Sequence, residues 1–234
     1  MNQQQNKVLK VVLVGDGGVG KTSYIKRYIT GHFETKHIAT VGIESNPITL
    51  HTNKGIFRLN VWDCAGMEVF GGMRTEYYHC ADAAIIMFSS DNKTSLESVG
   101  HWYQSLRTVC PAIPIILVCN KTDLPKNERK ITSMEIIRAT DIFGTTSYPI
   151  SVKVNGNLQL PFLQCIRSHM NDSSIQLIES PPISVPSIDI NKKSVIDLPR
   201  VRVHIEEKED MKSIRRKELY KQLTSILDEL EQLE

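Results

Sequence analysis

The segment Gly15-Asp16-Gly17-Gly18-Val19-Gly20-Lys21-Thr22 constrains this chain more than any other, because it satisfies GxxxxGK[ST] directly after the apolar run Val11-Val12-Leu13-Val14. Glycines let main-chain N–H groups curl inward around phosphate oxygens, and the N-terminus of a following helix favours the same negative charge. A strand must therefore enter the loop and a helix must leave it, and that context gives the pattern its meaning. Asp16, Gly17, Gly18, Val19, Gly20 and Ser23 form the phosphate cradle in this reading. Lys21 lies against the β and γ phosphates, and Thr22 places its hydroxyl on Mg²⁺, a cation that keeps several waters and takes few protein ligands.

Two further apolar runs, Ala83 to Phe88 and Ile113 to Val118, have the unbroken character of parallel strands covered on both faces; Pro114 interrupts the second near its start. Phe57-Arg58-Leu59-Asn60-Val61 instead alternates, and it follows the turn Thr52-Asn53-Lys54-Gly55, so a hairpin is expected there. Helical stretches after Lys21, over 96–109, over 132–142 and over 160–170 separate the strands. This alternation predicts an α/β, doubly wound sheet with ligands at the carboxyl ends of its strands.

The 234 residues suffice for one domain of roughly 150 to 170 residues with an appendage. A formal charge of +2, from 28 basic and 26 acidic residues, gives no reason to expect a nucleic acid partner. The five cysteines show no CxxC spacing, so neither a disulfide framework nor a zinc site is expected, and the compartment is expected to be reducing. The chain shows no ~18-residue apolar span, no lipidation cysteine at its end and no glycine after Met1, so no membrane anchor is expected.

Composition changes after Met170. Pro181, Pro182, Pro186 and Pro199 forbid a long helix through the next thirty residues or so. Leu219, Leu223, Ile226, Leu230 and Leu233 then follow the spacing of one helical face. The expected organisation is a flexible N-terminus over 1–6, a nucleotide-binding domain over 7–170, a proline-interrupted linker or arm over 171–207 and an amphipathic helix over 208–234.

Asp63-Cys64-Ala65-Gly66 ends the alternating strand, where the carboxylate can reach the magnesium through water and the Gly66 N–H a γ phosphate. Thr40 is placed to close over the metal when a γ phosphate is present. Asn120-Lys121-Thr122-Asp123 ends the third apolar run. The Asp123 carboxylate can accept from guanine N1–H and the exocyclic amine, for which adenine offers no equivalent. Ser151-Val152-Lys153 adds a main-chain N–H for the guanine oxygen and an aliphatic lysine stem for the ring. A P-loop kinase or ATPase would not need the motif from Asn120 to Asp123.

With these motifs in order, the chain resembles the Ras superfamily, and within it the Ran family of nuclear-transport GTPases. Ala39-Thr40-Val41-Gly42-Ile43-Glu44, His51-Thr52-Asn53, Asn60-Val61-Trp62-Asp63 and Phe70-Gly71-Gly72-Met73-Arg74 carry the closer likeness. The resemblance implies the P-loop NTPase fold, a mostly parallel six-stranded sheet with one antiparallel edge strand, followed by a C-terminal extension. It implies GTP or GDP with Mg²⁺ as ligands, and an exchange factor, an activating protein and transport receptors as partners, in nucleus and cytoplasm. Phe33 packs on the guanine in such proteins, 34–43 is the first switch with Lys36 and Thr40, and 63–78 is the second. Lys21, Thr40 and Gly66 are then the groups around the transferred phosphate.

The departures are specific. Met67 stands where the family has a catalytic Gln, and a thioether neither donates to nor orients a water as an amide does, so slow hydrolysis is expected. His37 replaces a Tyr near that Gln, and Val152 replaces an Ala. The basic run that Ran uses against importin-type receptors is not recovered between Asp123 and Ser151, and the acidic ending is absent. An alternative follows: a largely non-hydrolysing GTP-binding protein that recruits a partner through its C-terminal helix.

Overall fold

The computed structural model of the chain describes residues 7–34, 43–64 and 74–178. Six strands, β1 (Lys7–Val14), β2 (Ile43–Thr52), β3 (Gly55–Cys64), β4 (Ala83–Ser89), β5 (Ile115–Asn120) and β6 (Ser147–Pro149), form one sheet in the order β2-β3-β1-β4-β5-β6. Every pairing is parallel except that of the edge strand β2 with β3. The six-stranded, mostly parallel sheet with one antiparallel edge strand is thus the expected architecture.

The sequence patterns translate directly into burial. All seven residues of β4 and all six of β5 are buried, as unbroken apolar runs in the sheet interior must be. β3 alternates, and the hairpin turns where expected: Gly55 has φ 109°, a conformation open to glycine, while the Thr52 hydroxyl donates to Gly55 O at 2.7 Å. Pro114 lacks an N–H, so β5 starts only at Ile115; the Pro114 carbonyl still accepts from Ala84 N at 2.9 Å.

Six helices, α1 (Lys21–Thr30), α2 (Arg74–Tyr78), α3 (Lys93–Glu97), α4 (Val99–Val109), α5 (Ser133–Phe143) and α6 (Gln159–Met170), complete the described residues. Alternate residues of β1 feed two cores. Leu9, Val11 and Leu13 pack with Tyr24, Ile25, Phe162 and Ile166 of α1 and α6, whereas Val12 and Val14 pack with Tyr78, Val99, Trp102 and Leu106 on the other face. Tyr24 stacks on Phe162 with ring centroids 4.8 Å apart and donates its hydroxyl to Leu158 O at 2.7 Å, locking α6 onto α1.

The helix expected over 96–109 starts earlier and is divided at Ser98. Ser95 explains the early start: its hydroxyl donates to Asn92 O at 2.6 Å and accepts from Ser89 N at 3.1 Å, turning the chain into α3 as soon as β4 ends. The helix expected over 132–142 is α5, opened by a capping box in which Thr132 Oγ1 accepts from Glu135 N and Glu135 accepts from Thr132 N.

The arm expected from Asn171 belongs, over its described residues, to the domain. Leu177 pairs antiparallel with Thr52, Ile178 N donates to His51 O at 2.9 Å, and Ile175 is buried. All described residues fall within the compact unit Met1–Pro182, one of two in the chain. Residues 1–6, the remainder of the arm and the amphipathic helix over 208–234 lie outside the described residues.

Candidate functional site

Parallel strands bring their carboxyl ends to one edge of the sheet, and the motif residues sit there. Gly15 follows β1, and Leu13 lies in register with Asp63 at the end of β3. Ser89 and Asn120 are in register at the ends of β4 and β5, and Ser151 follows β6. Sequence positions from 15 to 153 therefore meet in one place.

At one end of the site lies the glycine loop. Gly15, Gly18 and Gly20 have φ of 137°, 76° and 101°, values that a side chain disfavours. Space is also closed to one: a Cβ on Gly15 would sit 2.0 Å from Met87 O, and one on Gly20 would sit 2.5 Å from Asn120 Nδ2. Lys21, only 6 % exposed, donates from Nζ to Gly15 O at 2.6 Å and to Asp16 O at 2.8 Å. The Asp16 carboxylate accepts from Trp102 Nε1 at 2.7 Å, which pins the loop to α4. Val19 is buried, Gly17 and Gly18 are exposed, and Gly20, Thr22 and Ser23 are half-buried at the start of α1.

Beside the loop, Thr22 Oγ1 donates to Asp63 Oδ2 at 2.5 Å. Asp63 is 1 % exposed, and its Oδ1 is buried without a hydrogen-bond partner among the described residues. Burial raises its pKa above the ordinary carboxylate range, against the lowering effects of the Thr22 hydrogen bond and the Lys21 charge. A buried carboxylate oxygen left unsatisfied next to a hydroxyl is costly by itself and suits a hard cation that takes oxygen ligands. Mg²⁺ therefore fits the residues present.

Asn120 is the hub between the two ends. Its Nδ2 donates to Val19 O at 2.9 Å in the glycine loop, and its Oδ1 accepts from Val152 N at 3.2 Å. One side chain, 3 % exposed, thus ties the loop after β1 to the loop after β6. Lys121 adopts φ 60°, rare for a residue with a side chain, and Ser90 Oγ donates to its carbonyl at 2.8 Å. Thr122 Oγ1 donates to Ile150 O at 2.8 Å. The Asp123 carboxylate accepts from Ser151 Oγ at 2.6 Å through Oδ1; Oδ2 takes no part in that bond.

The structure thus gathers Asp16 to Ser23, Asp63, Asn120 to Asp123, and Ser151 with Val152. Lys153 is exposed in the same loop, and Phe33 packs, partly buried, against the α1–α6 core. Within the triplet expected to supply a main-chain N–H, Val152 N–H donates to Asn120 Oδ1 and Ser151 N–H donates to Gly156 O. Lys153 is the member of the triplet whose N–H makes neither bond. Lys36, Thr40, Gly66 and Met67 lie outside the described residues.

Four neighbours of the site, Trp102, Ser89, Ser90 and Asp91, belong to none of the sequence motifs. Trp102 carries no local signal, since its partner Asp16 is 86 residues away. Ser89, Ser90 and Asp91 were findable, because they end an apolar run as Asn120 does. Among known families, the model described as the Ras family matches residues 10–171 of the chain.

Proposed function

This chain belongs to the Ras family, whose domain is a small GTPase switch binding guanine nucleotide, and we propose that it is a Ran-like switch in nucleocytoplasmic transport with hydrolysis slowed at Met67. Ras-family GTPases bind GTP or GDP, usually with Mg²⁺. The observation that supports one ligand across the whole site is the double hydrogen bond of Asn120, which joins the glycine loop to the base loop.

In this reading the amides from Asp16 to Ser23 and Lys21 hold the phosphates, and Asp123 accepts from guanine N1–H and the exocyclic amine. A main-chain N–H of Ser151-Val152-Lys153 faces the guanine oxygen, the Lys153 stem and Phe33 cover the ring, and Lys36 contributes from the first switch. Thr22, Thr40 and, through water, Asp63 would hold Mg²⁺, which neutralises phosphate charge when bound. Gly66 would offer its N–H to the γ phosphate. Met67, in place of a Gln, leaves the attacking water without an amide to orient it. The Ran-like segments from Ala39 to Glu44 and from Phe70 to Arg74 favour transport receptors, an exchange factor and an activating protein as partners, in nucleus and cytoplasm.

Protein purified with its ligand is expected to release GDP or GTP on denaturation; adenine nucleotide, or none, would reject the reading. Single-turnover hydrolysis is expected to rise at least about tenfold in Met67→Gln, each factor of ten being ~1.4 kcal/mol of barrier. Equal rates would remove Met67 from the account. The same residue favours the second reading, a GTP-holding protein that acts by recruiting a partner through residues 208–234. GTP-dependent capture of an importin-type receptor separates the two, since it belongs to the first.

A further inference from the structure

At the base end of the site, three residues of the β4 exit bracket Lys121. Ser90 N donates to Asn120 O at 3.0 Å and Ser90 Oγ to Lys121 O at 2.8 Å, so the strained φ of Lys121 is held by its neighbour on the sheet. The side chain is held as well: Lys121 Nζ donates to Asp91 Oδ2 at 2.9 Å, while Asp91 Oδ1 accepts from Ser89 Oγ at 2.7 Å. Ser89 is itself buried, at 1 % exposure. The anchor therefore runs from the sheet interior through a carboxylate to the ammonium. Burial works against the charge of Asp91, but the hydrogen bonds from Lys121 and Ser89 outweigh it and keep its pKa below the ordinary range.

A lysine stem has four rotatable bonds, and ordering it when a ligand arrives costs rotamer entropy. Here both ends of the stem are fixed in advance, the main chain by Ser90 and the ammonium by Asp91. Preorganisation of this kind slows ligand release without any contact between the anchor and the ligand.

We propose that Asp91 is a positioning residue, holding Lys121 beside the base end of the cleft so that guanine nucleotide leaves more slowly; the proposal rests on the guanine-nucleotide reading above. The ion pair is about one-third exposed on each side, which limits its effect. Loss of the pair is expected to speed release roughly two- to fivefold, the range of partly exposed ion pairs.

The test uses the full chain with Mg²⁺ and a fluorescent GDP analogue, chased with excess GDP. Asp91→Ala and the isosteric Asp91→Asn are compared with wild type, and both are repeated in a Lys121→Met background. Expected are faster release in both single variants, a wild-type rate that rises with salt toward theirs, and no further change from either substitution beside Met at 121. Release unchanged in the single variants overturns the proposal, and so does an equal acceleration in the Lys121→Met background, which would mark a structural effect independent of Lys121. A wild-type protein that holds no guanine nucleotide overturns the functional reading and this proposal with it.

Discussion

Asn120→Ala cuts the tie between the two halves of the site while every residue of the glycine loop, and Asp123, keeps its own side chain. The substitution removes two hydrogen bonds, to Val19 O at 2.9 Å and from Val152 N at 3.2 Å, at a position 3 % exposed. Val19 and Val152 are themselves buried, at 0 % and 3 %, so neither main-chain group regains a full water partner. At about 1–1.5 kcal/mol for each bond, the domain loses roughly 2–3 kcal/mol. For a domain of this size each kcal/mol shifts Tm by about 2–4 °C, so a fall of about 4–12 °C is expected.

Thermal unfolding is best followed on nucleotide-stripped protein, because bound ligand adds a concentration-dependent stabilisation that masks the intrinsic change. Asn120→Asp sharpens the test. It keeps an oxygen for Val152 N–H but sets a buried carboxylate against the Val19 carbonyl, so at neutral pH it should cost at least as much as Ala. A loss under about 2 °C for Ala, or an Asp variant more stable than the Ala variant, would refute the hub role that this geometry gives Asn120.

Asp63 and Glu135 give opposite pH signatures. Burial raises the Asp63 pKa, so its contribution to metal-free stability is present below the ordinary carboxylate range and is lost as pH rises through the raised value. Asp63→Asn, neutral throughout, should therefore melt no lower than wild type at neutral pH without Mg²⁺, yet lose the rise in Tm that Mg²⁺ produces; a retained Mg²⁺ effect would exclude Asp63 from the metal site. Glu135 runs the other way: hydrogen bonds from the Thr132 N–H and hydroxyl, then Lys93, lower it from an ordinary 4.5 to about 2. Its stabilising effect is present above about 4.5 and is lost as pH falls toward 2, so Glu135→Gln should flatten the acid limb of a Tm-against-pH curve over that window. An unchanged acid limb would show that the capping box contributes nothing in solution.

Much of the fold was legible because burial follows sequence period. The unbroken runs in β4 and β5, the alternation in β3 and the Gly55 turn each translate a one-dimensional pattern into one local geometry. Gly15, Asp63 and Asn120 are legible for a related reason, since each stands where such a run stops. What the sequence hid are contacts between distant segments whose side chains carry no pattern. The bond from Trp102 to Asp16 spans 86 residues, and the bond from Asn120 to Val19 spans 101. The segment from Asn171 to Ile178 reads as linker because its docking rests on bonds to main-chain groups, between Ile178 N and His51 O, between Asn53 N and Gln176 O, and with the side chains of Asn53 and Arg167, together with one buried isoleucine.

The sheet order supplies a measure of what the site can hold. β4 lies between β1 and β5, so the glycine loop and the Asn120 motif are two strand intervals apart, roughly 10 Å at about 4.8 Å each. The chain also reverses its winding at β1, with β3 added on one side and β4 on the other, and such a reversal opens a crevice at the strand ends. A sugar bridging a pyrophosphate to a base spans a gap of about that size, roughly two strand intervals. Length alone would accept any nucleotide. In the proposed reading the choice of base falls to Asp123, whose carboxylate accepts from Ser151 Oγ and, when ionised, can only accept, so it suits the adjacent N1–H and amine donors of guanine, a pair that adenine does not offer.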